Sequence, residues 1–116
     1  MKKVYFLKTC DTCQRILKSI KLDGFLLQDI KTEPVTVAQL EEMVALSGSY
    51  ESLFSRRAKK YKAMDLKNEQ LKETDYRQLI LDEYTFLKRP VFIIDKNIFI
   101  GNSKKNVADL LYETEK

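Results

Sequence analysis

Cys10 and Cys13 are the two cysteines of the chain, separated by Asp11 and Thr12. A thiol is weakly nucleophilic, whereas a thiolate attacks disulfides and other electrophiles, so the spacing raises the question of which cysteine is held ionised. If Cys10 begins a helix, the unpaired N–H groups of the first turn and the helix dipole stabilise its thiolate. Cys13 then lies one turn further along, near enough to close a disulfide with Cys10. Asp11 works against ionisation, and Lys8 and Arg89 are the cations that offset it. Each cysteine also has a plainer role available, as a small apolar core residue.

Other chemistry is removed by omission. The chain has 116 residues and no histidine. Imidazole bases, histidine-dependent triads and histidine metal sites are therefore excluded. Two cysteines are too few for a zinc site made of thiolates alone. Hydrophobic residues make up 44% and charged residues 33%, a globular balance for one domain, residues 1–116. Lys+Arg 21 against Asp+Glu 17 gives +4, a mild excess that suits anionic ligands and does not point to direct nucleic-acid binding. The run Arg56-Arg57-Ala58-Lys59-Lys60-Tyr61-Lys62 reads as a solvated helix face. No apolar run approaches a membrane span, and the N-terminal apolar stretch is too short for a signal peptide, so a cytoplasmic protein without membrane partners is expected.

The elements that must hold the thiols can be read from periodicity. Lys3–Leu7 reads as a strand. Ile16, Leu17, Ile20 and Leu22 predict a helix from about Asp11 to Leu22, with Gly24 as its stop. Phe25–Ile30 reads as a second strand, and this βαβ unit calls for parallel strands. Thr36 precedes the helical face Val37, Leu40, Met43, Val44 and Leu46, which Ser47-Gly48-Ser49 breaks. Ser52–Met64 predicts one or two helical turns, and Asn68–Leu81 a further helix. Val91–Ile94, a turn at Asp95-Lys96-Asn97 and Ile98–Ile100 form a hairpin. Asn102-Ser103 offers a cap for a last helix with Val107, Leu110 and Leu111 on one face.

The order βαβ, helices, ββα is the α/β thioredoxin-like pattern with a helical insert, approximately residues 33–87, between the second and third strands. Cys-x-x-Cys beside a βαβ unit is a redox signature. Pro90 stands immediately before the third strand, where the thioredoxin fold places a cis-proline facing the thiol.

Four segments carry a closer resemblance. Leu7-Lys8-Thr9-Cys10, Ser55-Arg56-Arg57-Ala58, Lys88-Arg89-Pro90-Val91 and Ile98-Phe99-Ile100-Gly101 together resemble the family of glutaredoxin-coupled arsenate reductases and Spx-type thiol-redox regulators. The resemblance implies Cys10 as nucleophile, Arg57 (or its neighbour Arg56) and Arg89 around an oxyanion or thiolate with Lys8 nearby, and Pro90 as the structural cis-proline. It implies no bound cofactor, and electrons from glutathione/glutaredoxin or thioredoxin.

Two positions depart from the reductases: their third arginine is replaced by Gly101, and the second cysteine, Cys13, matches the Spx branch. The position of a glycine on the polymerase-facing surface of Spx-type proteins reads Ser49, beside Gly48. The reading is an oxidoreductase acting on a small thiol, disulfide or oxyanion, with Cys13 or an external thiol resolving the Cys10 intermediate. The rival reading is a regulator that binds the RNA polymerase α subunit through a Cys10–Cys13 switch. A missing arginine lowers the expected arsenate activity, unless the Gly101 N–H, Lys104 or Lys105 supplies the lost interaction.

Overall fold

The structure, a computed structural model, describes residues 1–115. Contacts group them into two compact units: Met1–Pro34 with the segment from Arg89 onward, and Val35–Lys88.

In the first unit β1 (Lys2–Phe6), β2 (Phe25–Asp29), β3 (Val91–Ile94) and β4 (Asn97–Ile100) form a four-stranded sheet in the order β2-β1-β3-β4. β1 runs parallel to β2 and antiparallel to β3, and β3 turns back antiparallel on β4. This is the thioredoxin-like arrangement, with the helical segment entering the chain between β2 and β3. The two-residue turn Asp95-Lys96 closes the hairpin, with Asp95 at φ +55° and its carboxylate 2.6 Å from the N-terminal ammonium.

Strand alternation sends Val4, Phe92 and Ile94 to one face of the sheet. There they pack with Ile16, Leu17 and Ile20 and with Leu110 of α5 (Lys104–Thr114). Phe25 meets Phe92 edge-on at 5.7 Å, a favourable quadrupole geometry. Tyr5, Val91 and Ile93 point to the opposite face and are also buried. α5 starts where Ser103 accepts the Asn106 N–H at 3.1 Å, one of the two caps the sequence offers.

The first helix differs from its expected length. α1 spans Asp11–Lys18, not Asp11–Leu22. Ser19 ends it, because its hydroxyl and its N–H both donate to the Ile16 carbonyl, at 2.6 and 3.0 Å. Ile20 and Leu22 keep their apolar role from the connecting segment, packed on the same core. Gly24, at φ +82°, serves the turn that brings the Phe25 N–H to the Leu22 carbonyl and is not the helix stop.

The second unit holds α2 (Val37–Ser47), α3 (Lys59–Ala63) and α4 (Glu73–Asp82), with single 3-10 turns at Glu51–Leu53, Leu66–Asn68 and Tyr84–Phe86. Thr36 and Gln39 cap α2 reciprocally, and Gly48 ends it at φ +96°. α4 begins at Glu73, later than the expected Asn68, because Asp65 in the left-handed region and its bond from the Asn68 amide (2.7 Å) make Leu66–Asn68 a separate turn. Phe54, fully buried, stacks on Phe86 at 5.0 Å and touches Tyr76 and Tyr61. Among the described residues, no helix is long and apolar enough to cross a membrane.

Leu110 is 1% exposed in the core beneath α1, whereas Tyr112 on the same helix is 69% exposed. Leu110→Ala is expected to cost about 2–5 kcal/mol and Tyr112→Ala less than about 0.5 kcal/mol, measured by urea unfolding.

Candidate functional site

The site is built where β1 hands over to α1. Cys10 is the N-cap residue of α1, with extended backbone angles, and the helix begins at Asp11. Its own backbone is tied on both sides, by its N–H to the Leu7 carbonyl and by its carbonyl to the Gln14 N–H, each at 3.0 Å. The Gln14 side-chain amide reaches back to the Lys8 carbonyl at 2.8 Å and closes the loop from the other end. The thiol is therefore held over the open N–H groups of the first turn.

Those groups decide the ionisation of Cys10. Partial burial pushes its thiol up, but the Cys13 N–H, the Cys13 thiol, the Arg89 guanidinium and the Thr12 N–H outweigh that penalty. The net direction is down from the ordinary value of 9.0. Cys13 goes the other way. It is fully buried in α1, and burial, opposed by a backbone hydrogen bond from Leu7 and reinforced by the Cys10 charge, raises its thiol to about 11. Arg89 acts on both sulfurs and favours both thiolates. One helix start thus holds a thiol inclined to ionise beside one inclined to stay protonated.

Arg89 is the residue before Pro90, and the peptide bond between them is cis. The structure thus brings Cys10, Cys13 and Arg89 together within the first unit. Lys8 is exposed on the loop before Cys10, its N–H 3.4 Å from the Asp29 carboxylate. In the second unit the pair Arg56–Arg57 divides. Arg56 is bound to Glu51 at 2.8 Å and to the Tyr76 hydroxyl at 2.9 Å, and lies over the Tyr76 ring. Arg57 is exposed, and its guanidinium makes no hydrogen bond or ion pair among the described residues. Of the two, Arg57 is the one left available to an anion.

Around Gly101 the structure corrects one expectation. Its N–H donates to the Pro90 carbonyl at 2.9 Å and its carbonyl accepts from the Asn106 amide at 2.8 Å, so it has no free donor for an oxyanion. Its φ of +85° also strains any side chain placed there. Lys105 is paired with Asp109 at 2.8 Å on the surface of α5.

The first-turn N–H groups act on Cys10 as the sequence leads one to expect, whereas the Gln14 clamp was not foreseen. A glutamine four residues after a cysteine announces nothing until the loop geometry is known.

The ArsC family profile matches residues 5–110. The chain belongs to the ArsC family. It is 21% identical to the global transcriptional regulator Spx 1 of Bacillus cereus, over 98% of this chain and 89% of that protein. It superposes on the YFFB (PA3664) protein with a TM-score of 0.78 at 21% identity, over 96% and 99% of the two chains. It superposes on a possible arsenate reductase from Streptococcus mutans UA159 with a TM-score of 0.72 at 25% identity, over 95% and 97%. The family places the protein among thiol oxidoreductase-like chains.

The opposed ionisation of the two thiols has a direct readout. Limited iodoacetamide treatment at neutral pH, followed by mass spectrometry, is expected to label Cys10 at least about tenfold faster than Cys13. The Cys10 rate should rise with pH through a midpoint below 9.0. Arg89→Met removes a positive charge that favours the thiolate, so the midpoint should move up and the neutral-pH rate fall. Cys10→Ser removes the neighbouring thiolate, so the Cys13 midpoint should fall from about 11. Equal labelling of the two cysteines would contradict the assignment.

Proposed function

We propose that this ArsC-family protein is a cytoplasmic thiol–disulfide oxidoreductase in which Cys10 is the nucleophile and Cys13 or an external thiol resolves the intermediate. The observation that carries the reading is the pair of opposed thiols at one helix start beside Arg89.

The Cys10 thiolate attacks one sulfur of a small disulfide. The substrate S–S bond breaks, its electron pair leaves on the first thiolate, and a mixed disulfide forms on Cys10. Ionised Cys10 had been opposing ionisation of Cys13, and that opposition ends once its sulfur is bonded. Cys13 then loses its proton to solvent, attacks the Cys10 sulfur and expels the second substrate thiolate. The substrate has gained two electrons, and Cys10 and Cys13 are joined. Two external thiol equivalents, from glutathione/glutaredoxin or thioredoxin, return the pair to the reduced state. Burial of Cys13 delays the second step until the first has occurred, which leaves time for an external thiol to compete.

Arsenate is a poorer substrate in this reading. A thiolate approaches an oxyanion only if the anion's charge is compensated. Arg89 is the guanidinium group beside Cys10, the Gly101 N–H is taken up, and Lys105 is paired. Absence of one charged donor costs about 2–4 kcal/mol, roughly 30- to 1000-fold in rate.

A second reading is favoured by the match to Spx 1 over nearly the whole chain together with the paired cysteines. In it, closing the Cys10–Cys13 disulfide alters a surface that binds the RNA polymerase α subunit. Retention of that subunit in a pulldown, dependent on oxidation and lost in Cys10→Ser, would favour the regulator.

Anaerobic turnover decides the enzyme reading. Wild type is expected to reduce small disulfides with glutathione/glutaredoxin or thioredoxin as donor and to show weak or absent arsenate turnover. Cys10→Ser should abolish activity, and Cys13→Ser should accumulate the mixed disulfide. Efficient arsenate turnover that survives Lys104→Ala/Lys105→Ala would show the charge argument to be wrong. A wild type inert toward every disulfide would remove the enzyme reading.

A further inference from the structure

Cys10 is the N-cap residue of α1 and Cys13 is the third residue of the helix, so both side chains belong to the first turn. Side chains three residues apart on a helix have Cβ atoms about 5–6 Å apart, which lets two sulfurs turn toward one small atom between them. In the reduced pair that atom is a proton: the Cys13 thiol donates to the Cys10 sulfur. Cys10 is half-buried and Cys13 is buried, so the pair is reached from the Cys10 side.

Few ions are satisfied by two sulfurs and nothing else. The chain has no histidine. Among the described residues, no three or more cysteine, aspartate and glutamate side chains are gathered to hold an ion. Zinc sites are completed by four ligands, and calcium and magnesium take an outer shell of oxygens, so each is short of donors here. Thiolates select soft ions, and Cu(I) is satisfied by two of them in a line.

Charge narrows the choice further. With Cys10 ionised and Cys13 protonated, the pair carries one negative charge, which Arg89 and the N–H groups of the first turn favour. Cu(I) held by two thiolates carries that same single charge. A monovalent ion therefore replaces the shared proton and leaves the charge that Arg89 faces unaltered. A divalent ion leaves the pair neutral and forfeits that attraction.

We propose that the reduced Cys10–Cys13 pair is a two-coordinate site for Cu(I), with Arg89 as the outer charge that favours the anionic complex. The Cys13 proton leaves to solvent, one bond forms from each sulfur to the ion, and no atom changes oxidation state. The ion arrives by ligand exchange at Cys10, and Cys13 completes its coordination. While it is bound, Cys10 attacks no disulfide and the two cysteines do not join. Binding needs only the reduced pair and holds whether or not that pair turns over disulfides.

Anaerobic titration of the reduced full chain with Cu(I), in competition with the chelator bicinchoninate, tests this. Wild type is expected to hold one Cu(I) per chain as a monomer, with two sulfur neighbours by copper K-edge X-ray absorption. Zn(II) in about tenfold excess should not displace it. Cys10→Ser and Cys13→Ser should each lose the tight site with the far-ultraviolet circular dichroism unchanged, and Cys10, the more exposed, decides if the Cys13 variant unfolds. Arg89→Met should keep the one-to-one ratio and bind about 10- to 100-fold more weakly. Tight binding that survives Cys10→Ser means adventitious copper only and overturns the site. Three sulfur neighbours, or a mass that doubles with copper, overturns two-coordination within one chain. Arg89→Met binding at wild-type strength overturns the charge argument. A chain that holds Cu(I) in this way yet reduces no disulfide removes the oxidoreductase reading and supports the metal site.

Discussion

The hydrogen bonds offered by the first turn of α1 are the constraint on which the site depends. A helix start has N–H groups with no carbonyl to receive them. Cys10 occupies the N-cap and makes no side-chain cap hydrogen bond, so these N–H groups are left to favour a negative charge on its sulfur. The Cys13 and Thr12 N–H groups, with Arg89, draw the thiol toward its ionised form against the penalty of burial. A serine or aspartate there would cap the helix better and do no redox chemistry. Local helix stability is given up for a reactive sulfur, and the core beneath α1 makes good the loss through Ile16, Leu17 and Ile20.

The rest of the first unit keeps that arrangement rigid. β1 is paired on both sides, so the chain reaches Cys10 from a fixed direction. The cis bond at Pro90 stands at the head of β3, which is paired with β1, and Arg89 precedes it. The same peptide carbonyl that follows Arg89, that of Pro90, receives the Gly101 N–H and ties the hairpin end to this corner. Gly101 therefore brings neither a charge nor a free N–H to this corner, and its backbone is structural.

The ArsC profile and the superpositions describe the scaffold, and in this chain that scaffold presents a thiol at a helix start. Which electrophile reaches the thiol depends on the charges around it and on whether a second thiol waits nearby. Here a second thiol is present and buried, and Arg89 is the guanidinium group that acts on both sulfurs.

Much of this was legible in the chain alone, because it is written in short-range patterns. Alternation and turn residues gave the four strands and their order, helical spacing gave α2 and α5, and Cys-x-x-Cys after a strand marked the reactive corner. The ends of elements were less legible. Ile20 and Leu22 continue the helical spacing of α1, yet Ser19 ends the helix, because an apolar residue packs equally well from a connecting segment. Asn68 likewise joins a turn set by Asp65 and not α4. Tertiary structure alone decided that Arg56 is bound to Glu51 and Tyr76 while Arg57 is not, that the Gly101 N–H is already used, and that Gln14 clamps the loop. These are matters of which partner lies within hydrogen-bond reach, and a sequence carries residue types and spacings but not the distances between residues far apart along the chain.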